Sequence, residues 1–287
     1  MSISKQIRTR LLIFTLFGDY IFPREGWAPT AGLITLLRRL GVHSPAARST
    51  LSRMSRQGWL RAERRGRHSL YGLTMKGRHL LEEGTHRIFE PQPKNWDGQW
   101  RVVVYSLPEQ KRRLRGALRR RLSYLGFGAL APGTWISPHD RQIELEALLD
   151  DLNARPYVQC FVGKWLGQLS NEDLVARCWN LDGLNRQYAA FVRKWEPKLK
   201  KQRRGFSKKN GMKPGDCFVH RFWIIHEYSA FPSRDPNLPG GLLPQGWMGS
   251  RAGRVFRGYR ELLTGRANAF VEEMLETRNG YVFDKSS

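Results

Sequence analysis

Arginines and small hydroxyl side chains repeat with helical spacing between residues 44 and 58. Five of them would share the face of a helix turned away from its apolar positions: Arg48, Ser49, Ser52, Arg53 and Arg56. An arginine fork can donate two hydrogen bonds to the acceptors of guanine, and a serine hydroxyl can reach a phosphate or a base edge. Lysine and glutamate, the commoner residues of a solvent-facing helix, are absent from this face. The segment therefore predicts a helix that reads the major groove of DNA.

Local chemistry predicts where this helix begins and ends. Ser44 can cap the first turn with its side-chain oxygen, and Pro45 has the fixed φ of a first helical residue. Gly58 can adopt the left-handed conformation that ends a helix. Residues that recur at helical spacing and should face a core are Ala47, Leu51 and Met54.

Two short alternating segments, 59–63 and 69–73, follow the helix and flank a basic turn. Three arginines would lie at the tip of this hairpin and contact phosphates or a minor groove: Arg64, Arg65 and Arg67. Upstream, segments 8–17 and 30–40 each predict a helix, the second ended by Gly41. Three helices followed by a hairpin predict a winged helix-turn-helix. A small helical domain with a solvated basic face is the alternative.

The charge of the chain agrees with a polyanionic partner. Lys and Arg number 49 against 25 Asp and Glu, which gives a formal net charge of +24. Nucleic acid, anionic membrane and acidic protein are all candidates on this ground. No apolar run approaches the roughly twenty residues that span a bilayer, so a membrane is the weakest of the three.

The cysteines indicate a reducing compartment. Cys160, Cys178 and Cys217 are odd in number and widely spaced, and they form neither a disulfide framework nor a zinc pattern. We therefore expect a cytoplasmic protein in which all three are small buried side chains.

A ferredoxin-like domain is predicted after the connector 91–94. Its strands are predicted at 100–105, 127–130, 134–137 and 157–162, and its helices at 108–125 and 141–153. The order β-α-β-β-α-β implies an antiparallel sheet with both helices on one face. Leucines line one side of the first helix, and its other positions include Arg112, Arg115, Arg119 and Arg120.

The remainder of the chain is predicted to be helical, with segments at 171–179, 182–195, 217–228, 250–263 and 267–277. The basic segment 198–213 is predicted to be an exposed connector, with phosphate contact as an alternative. The loop 234–247 carries leucines and Trp247 among its prolines and glycines, which predicts an ordered loop packed on the helices.

The sequence thus predicts an α+β protein of three domains. They are a winged helix-turn-helix with its linking helix at 1–90, a ferredoxin-like middle domain at 91–170 and a helical C-terminal domain at 171–287.

Several separate segments resemble the PaaX family of bacterial repressors of phenylacetic acid degradation genes, in the same order along the chain. They are Arg48–Met54 with Gly58–Leu60, Trp100–Tyr105, Gly133–Pro138, His226–Tyr228, Asp235–Pro236 with Leu238–Pro239, and Leu242–Pro244 with Trp247. The resemblance implies a homodimeric repressor that binds a double-stranded DNA operator. It also implies release by phenylacetyl-coenzyme A or a related aryl-CoA thioester.

A CoA thioester needs cations for its phosphates and an apolar slot for its acyl group. The C-terminal stretch that most resembles the family offers five candidates: Arg221, His226, Tyr228, Arg234 and Trp247. A role in packing and capping the helical domain is the alternative for each of them. No metal, cofactor or catalytic residue is expected.

A metal-dependent nuclease is the alternative function, because the middle domain also resembles the small ferredoxin-like nucleases of CRISPR adaptation. In those enzymes a carboxylate directly after the first strand would hold a divalent cation, and here that position is Ser106. A neutral hydroxyl is a poor ligand for magnesium, and Glu109 is expected to serve the next helix turn. His220, His226 and Glu227 are expected to be structural, and an RNA-binding role rests only on charge and on aromatics such as Trp135 and Phe161, which we expect to fill core.

Overall fold

A computed structural model describes the backbone of residues 3–24, 26–89, 95–207 and 211–276. Its residues group into two compact units. The first unit comprises Met1–Ile88, Phe191–Ser229 and Arg251–Ser287, and the second comprises Phe89–Ala190 and Ala230–Ser250. Residues 171–287, predicted from sequence as one domain, thus contribute segments to both units. No described helix is long and apolar enough to cross a membrane.

The N-terminal part of the first unit is a winged helix-turn-helix, as predicted. Its elements are α1 (Ile3–Leu16), a π-helical turn (Phe17–Ile21), β1 (Trp27–Pro29), α2 (Thr30–Arg39), α3 (Ser44–Arg56), β2 (Leu60–Arg65), β3 (His68–Leu73) and α4 (Met75–Phe89). The three strands form an antiparallel sheet in the order β1-β3-β2. β1 was not predicted, because three residues are too few for an alternating pattern to be read.

The helix α3 ends as its sequence predicts but begins differently. Ser44 is not a cap: it is the first helical residue, and His43 precedes it with no side-chain hydrogen bond to the first turn. At the other end Gly58 has φ +72°. Its amide donates to the carbonyl of Ser55, and the amide of Trp59 donates to that of Met54, which is a Schellman ending.

The hairpin after α3 is tighter than predicted. Arg65 pairs with His68, so Gly66 and Arg67 alone form the turn, with Gly66 at φ +57°. Arg64 and Arg65 therefore lie in β2 and not at the tip. The hydrogen-bonded pairing of β2 with β3 extends two residues beyond the predicted end of the first strand at 63. A two-residue turn allows this, because its backbone twist matches that of the flanking strands.

The core of the first unit joins the winged helix to helices from the end of the chain, α9 (Pro214–Tyr228) and α10 (Gly249–Glu276). Tyr20 packs edge to face on Phe218, with 5.4 Å between ring centroids. A Cβ on Gly32 of α2 would lie 2.9 Å from the carbonyl oxygen of Met274, so glycine permits the close approach of α2 to α10. The predicted core residues of α3 are buried: Ala47, Leu51 and Met54.

The second unit contains the predicted ferredoxin-like fold. Its elements are β4 (Trp100–Tyr105), α5 (Arg112–Tyr124), β5 (Gly128–Ala131), β6 (Thr134–Ser137), α6 (Gln142–Asp151) and β7 (Val158–Gly163). The sheet is antiparallel in the order β5-β6-β4-β7. Leu118 and Leu122 of α5 and Leu148 of α6 pack in one cluster with Val103 and Trp135 of the sheet, so both helices cover the same face.

The opposite face of this sheet is covered by α7 (Asn171–Cys178) and by the loop 234–247. Leu238 and Leu242 of that loop are buried against Trp100 and Ile136. The prediction of an ordered, packed loop is confirmed.

Two helices are longer than predicted. α8 (Leu181–Ser207) continues through Pro197, and Leu199 is buried, so residues 198–207 form a helix and the predicted connector is wrong there, although several of these residues are exposed as predicted. Residues 208–210 of that segment lie outside the described residues. The segment 250–263 and the described part of 267–277 belong to one helix, α10, because burial of apolar side chains on both sides of Gly265, such as Leu263 and Ala267, outweighs the low helix propensity of that glycine. Residue 277 lies outside the described residues.

Candidate nucleic-acid interface

The outer face of α3 is open to solvent. Exposed side chains on it are Arg48, Ser49, Ser52 and Arg56, and Arg53 is half-buried. Nη2 of Arg53 lies 3.5 Å from Oγ of Ser49, one helical turn away, as expected for side chains that share a face. Their contact with DNA stays a prediction.

The structure brings part of this face together with the hairpin. Arg48 and Ser52 of α3 line a groove of about 410 Å³ together with Arg67, His68 and Ser69. The first residues of α2 also line the groove. Pro29 precedes this helix at the N-cap position, and its side chain forms no hydrogen bond to the first turn. A helix beginning carries partial positive charge and amides without helical partners, so two arginines and a helix terminus favour an anion at one place.

Sequence reasoning did not assign six of the nine lining residues to the site, among them Thr30, His68 and Tyr71. Thr30 donates from its hydroxyl to the carbonyl of Ser69 at 2.8 Å, which ties the beginning of α2 to β3. His68 was inside the predicted turn and could have been found by its position, but the pairing of β1 with β3 gives no signal in sequence.

The hairpin arginines differ in their freedom to bind an external anion. Nε of Arg65 donates to Oε1 of Glu63 at 2.6 Å, and the guanidinium of Arg65 lies 5.5 Å from the centre of the Trp27 ring. Arg64 donates to the carbonyl of Gly66 at 3.2 Å. Arg67 is exposed and has no recorded partner among the residues that the structure describes. Arg67 is therefore the hairpin cation most available to a phosphate.

The end of the hairpin is fastened to the end of α3. Oγ1 of Thr74 donates to the carbonyl of Gly58 at 2.7 Å, and the amide of Thr74 donates to the carbonyl of Trp59 at 3.2 Å. Trp59 packs edge to face on Phe14 of α1. These contacts fix the hairpin relative to α3, so the groove is formed before a ligand arrives.

The predicted effector residues on α9 all have partners inside the first unit. Arg221 is 2% exposed and its guanidinium donates to the carboxylate of Asp19. Nδ1 of His226 lies 2.9 Å from Oγ1 of Thr15. The ring of Tyr228 stacks on Phe256 at 4.1 Å. A guanidinium held in this way is not presented to a phosphate at the surface.

The other two predicted effector residues lie beside α8 in the second unit. Nη1 of Arg234 donates to Oε1 of Gln187 at 2.8 Å. Trp247 packs edge to face on Tyr188, and its indole Nε1 is buried with no hydrogen-bond partner among the described residues. An effector role for any of the five residues stays a prediction.

Ser106, which occupies the position of the nuclease carboxylate, has a backbone hydrogen bond within the second unit. The amide of Ser106 donates to the carbonyl of Tyr157 at 3.1 Å. Glu109 forms an ion pair of 3.4 Å with Arg115. Within the described ranges, no group of three or more His, Cys, Asp or Glu side chains could hold a metal ion.

His220 and Glu227, expected from the sequence to be structural, each have hydrogen-bond partners within the first unit. His220 lies 2.8 Å from the hydroxyl of Tyr259, and burial raises the pKa of that hydroxyl to about 12. Glu227 accepts hydrogen bonds from Lys194 and from the indole of Trp195.

Two expectations about buried side chains in the second unit were wrong. Phe161 is 57% exposed and Cys160 is also exposed, because both lie on β7, the edge strand of the sheet. Trp135 is buried as expected. Cys178 is partly buried, and desolvation raises the pKa of its thiol to about 11.

Family models match three consecutive segments of the chain. One described as PaaX-like protein matches residues 8–77, and one described as the PaaX protein central Cas2-like domain matches residues 93–175. A third, described as the PaaX-like protein C-terminal domain, matches residues 179–273. These segments correspond to most of the chain.

Similar proteins agree with these models. The transcriptional repressor PaaX of Escherichia coli (strain K12) is 31% identical over 272 residues, which cover 94% of this chain and 84% of the repressor. A solved structure of an uncharacterized protein from Mycobacterium tuberculosis has a TM-score of 0.62 at 21% identity, covering 91% of this chain and 97% of that one. At that identity the second likeness concerns the fold alone.

Proposed function

The chain belongs to the PaaX family of transcriptional repressors, and we propose that it binds a double-stranded operator as a homodimer to repress genes of phenylacetate-type catabolism. We propose further that an aryl-CoA thioester, such as phenylacetyl-CoA, releases it from the operator. The family and the relative named above support repression. The release and the dimer rest on the resemblance of the C-terminal stretch to that family.

The observation that carries the DNA-binding proposal is the groove between α3, the hairpin and the beginning of α2. Arg48 and Arg67 flank it, and Ser52 lies on its α3 side. In this arrangement the exposed face of α3 enters a major groove, while Arg67 and the amides of α2 hold the adjacent phosphates. Side chains of α3 then supply sequence preference, and the hairpin supplies affinity.

Control of this interface by an effector needs a connection to the rest of the protein. Helix α9 supplies one within the first unit, because His226 contacts Thr15 in the last turn of α1 and Arg221 contacts Asp19 in the π-helical turn that follows it. A shift of α9 would therefore move α1, and α1 packs against α3. This contact chain supports a regulatory role for the predicted residues of α9 that acts through position instead of direct phosphate binding.

Fluorescence anisotropy with the DNA upstream of the protein's own gene tests the proposal. The full-length protein should bind this duplex far more tightly than a scrambled one, and a panel of acyl-CoA thioesters should include an aryl-CoA that releases it. Arg48→Ala should abolish the preference, whereas Arg186→Ala, a matched loss of one exposed arginine of α8, should not. Equal affinity for both duplexes would overturn the repressor proposal, and binding insensitive to every thioester would overturn the effector alone.

A further inference from the structure

The helix α5 carries the densest run of arginines in the described structure. Six of its thirteen residues are arginine. Two of them have carboxylate partners: Arg115 pairs with Glu109 at 3.4 Å, and Arg121 pairs with Asp151 at 3.5 Å. The other four are exposed, and no ion pair is recorded for them among the described residues: Arg112, Arg113, Arg119 and Arg120. We call these four the α5 arginine face.

Helical geometry places all four on one side. At 3.6 residues per turn, positions 112, 113, 116, 119 and 120 fall within an arc of about 120°, and the centre of that arc faces away from Leu118 and Leu122, which are buried in the sheet core. The centre of this side is Gly116, where a Cβ would meet only Nη1 of Arg120, at 3.4 Å. A helix backbone without a side chain at its centre permits close approach of a flat or ridged partner.

The four guanidinium groups lie in two adjacent pairs, 112/113 and 119/120, on one side of a helix of thirteen residues. With no ion pair recorded for them among the described residues, they give this side a concentrated positive charge, which attracts a polyanion. Core packing does not need them, because Leu118 and Leu122 supply the buried side. Arginine rather than lysine suits phosphate, since its guanidinium can donate two parallel hydrogen bonds to phosphate oxygens.

We propose that the α5 arginine face is a second DNA-contacting surface, which binds the phosphates of the duplex that flanks the operator. The inference rests on the proposed function, because the second unit is covalently joined to the winged helix, so that binding of the operator by α3 raises the effective concentration of flanking duplex for the α5 arginine face. These contacts are sequence-independent and add affinity without changing base preference. Acidic protein is the competing occupant, and DNA is favoured because the same chain carries the α3 groove.

Two double variants that lose the same net charge distinguish an effect of the α5 arginine face from an effect of net charge alone. Arg112→Gln with Arg120→Gln removes half of the α5 arginine face. Arg177→Gln with Arg186→Gln removes two exposed arginines of the second unit that lie on α7 and α8 and have no recorded partner among the described residues. Matching thermal midpoints will establish that both full-length variants fold like the wild type.

Anisotropy is measured on the minimal operator and on an operator extended by about two helical turns, roughly 20 base pairs, on each side. For the wild type, the extended duplex should bind tighter, with a salt dependence steeper by about 0.9 per added phosphate contact. The α5 variant should lose about two units of that slope and at least about tenfold affinity on the extended duplex, with little change on the minimal one. The control variant should behave as the wild type on both.

Equal losses in the two variants would show an effect of net charge only and overturn the proposal. So would equal wild-type affinity for the two duplexes, or an α5 variant that keeps full DNA affinity but binds polyglutamate less well than the wild type. In these cases the minimal operator is still bound, and the repressor proposal stands. Failure of the wild type to bind either duplex would instead overturn both.

Discussion

Arg221 of α9 forms a buried ion pair with Asp19, in the π-helical turn that follows α1. The two residues are 202 positions apart in sequence, and their side chains are 3% and 10% exposed. Nη2 of Arg221 lies 3.1 Å from Oδ1 of Asp19, and Nη1 donates to the other oxygen. The pair therefore joins the winged helix to a helix from the C-terminal part of the chain.

We predict that Asp19→Asn lowers the free energy of unfolding by about 3–5 kcal/mol, because it leaves the Arg221 guanidinium buried without its counter-charge. The surface pair of Glu196 and Arg251, with 2.7 Å between Oε2 and Nη2, is the matched control. Glu196→Gln should cost less than about 1 kcal/mol, since water replaces the lost partner. Urea unfolding measures both, and similar losses would mean that the buried pair does not hold these helices together.

Arg53 and Leu51 should separate recognition from stability. Arg53→Ala should lower operator affinity by about 1–3 kcal/mol if its guanidinium contacts a base, with thermal stability nearly unchanged. Leu51 is fully buried, so Leu51→Ala should cost about 2–5 kcal/mol of stability. Anisotropy and calorimetric melting provide the two readouts. Wild-type operator binding by the Arg53 variant would show that the reading face is assigned incorrectly.

The hairpin arginines should differ in their effect on salt dependence. Arg67→Ala should make the log-log salt slope shallower by about one unit, because Arg67 is exposed, has no partner among the described residues and is expected to hold one phosphate. Arg65→Ala should change it less, because Glu63 already neutralises that guanidinium. Titrations over a range of salt concentrations measure both slopes. The reverse order would mean that Glu63 releases Arg65 when DNA binds.

His220 should make the protein less stable in mild acid. Desolvation by burial, with a smaller contribution from Lys198, lowers the pKa of His220 below its ordinary value of 6.5, although Asp216 acts in the opposite direction. The unfolded chain therefore binds a proton at a higher pH than the folded protein. The stability contributed by neutral His220 is complete above about pH 6.5 and is lost as the pH falls through the lower, folded-state value.

Urea midpoints at pH 7.5 and 5 test this dependence. The wild type should lose stability between the two values, and His220→Gln should lose less because it has no imidazole to protonate. Tyr259→Phe, which removes the hydroxyl beside His220, provides a control that keeps the titrating group. An identical loss in the wild type and in His220→Gln would assign the acid sensitivity to other groups.

Effector and operator should weaken each other by the same factor. If phenylacetyl-CoA lowers operator affinity, thermodynamic linkage requires that operator DNA lower phenylacetyl-CoA affinity equally, by about 5- to 150-fold for ordinary coupling energies. Calorimetry of the thioester with free and with operator-bound full-length protein measures the factor. Equal affinities in the two states would refute release by this effector, even if both ligands bind.

The sequence by itself determined the elements whose ends and faces depend on neighbouring residues. Helix α3 is specified by Pro45, Gly58 and the apolar positions that include Leu51, all within a few turns of one another. The order of strands and helices in the ferredoxin-like fold was likewise predictable, because alternation and leucine spacing are local patterns. Family resemblance added the class of function, which no local pattern supplies.

Tertiary structure decided the features that depend on distant partners. The sequence made Arg221 a candidate both for an effector phosphate and for packing, and only the tertiary structure shows that Asp19 is its buried partner. The helix predicted at 182–195 stops short of Pro197, but α8 continues through that proline and Leu199 is buried beyond it. Propensity contributes at most a few kcal/mol at one residue, and burial of the apolar side chains along a whole helix can outweigh it. The partners of a buried charge are set by packing across the fold, which local patterns do not encode.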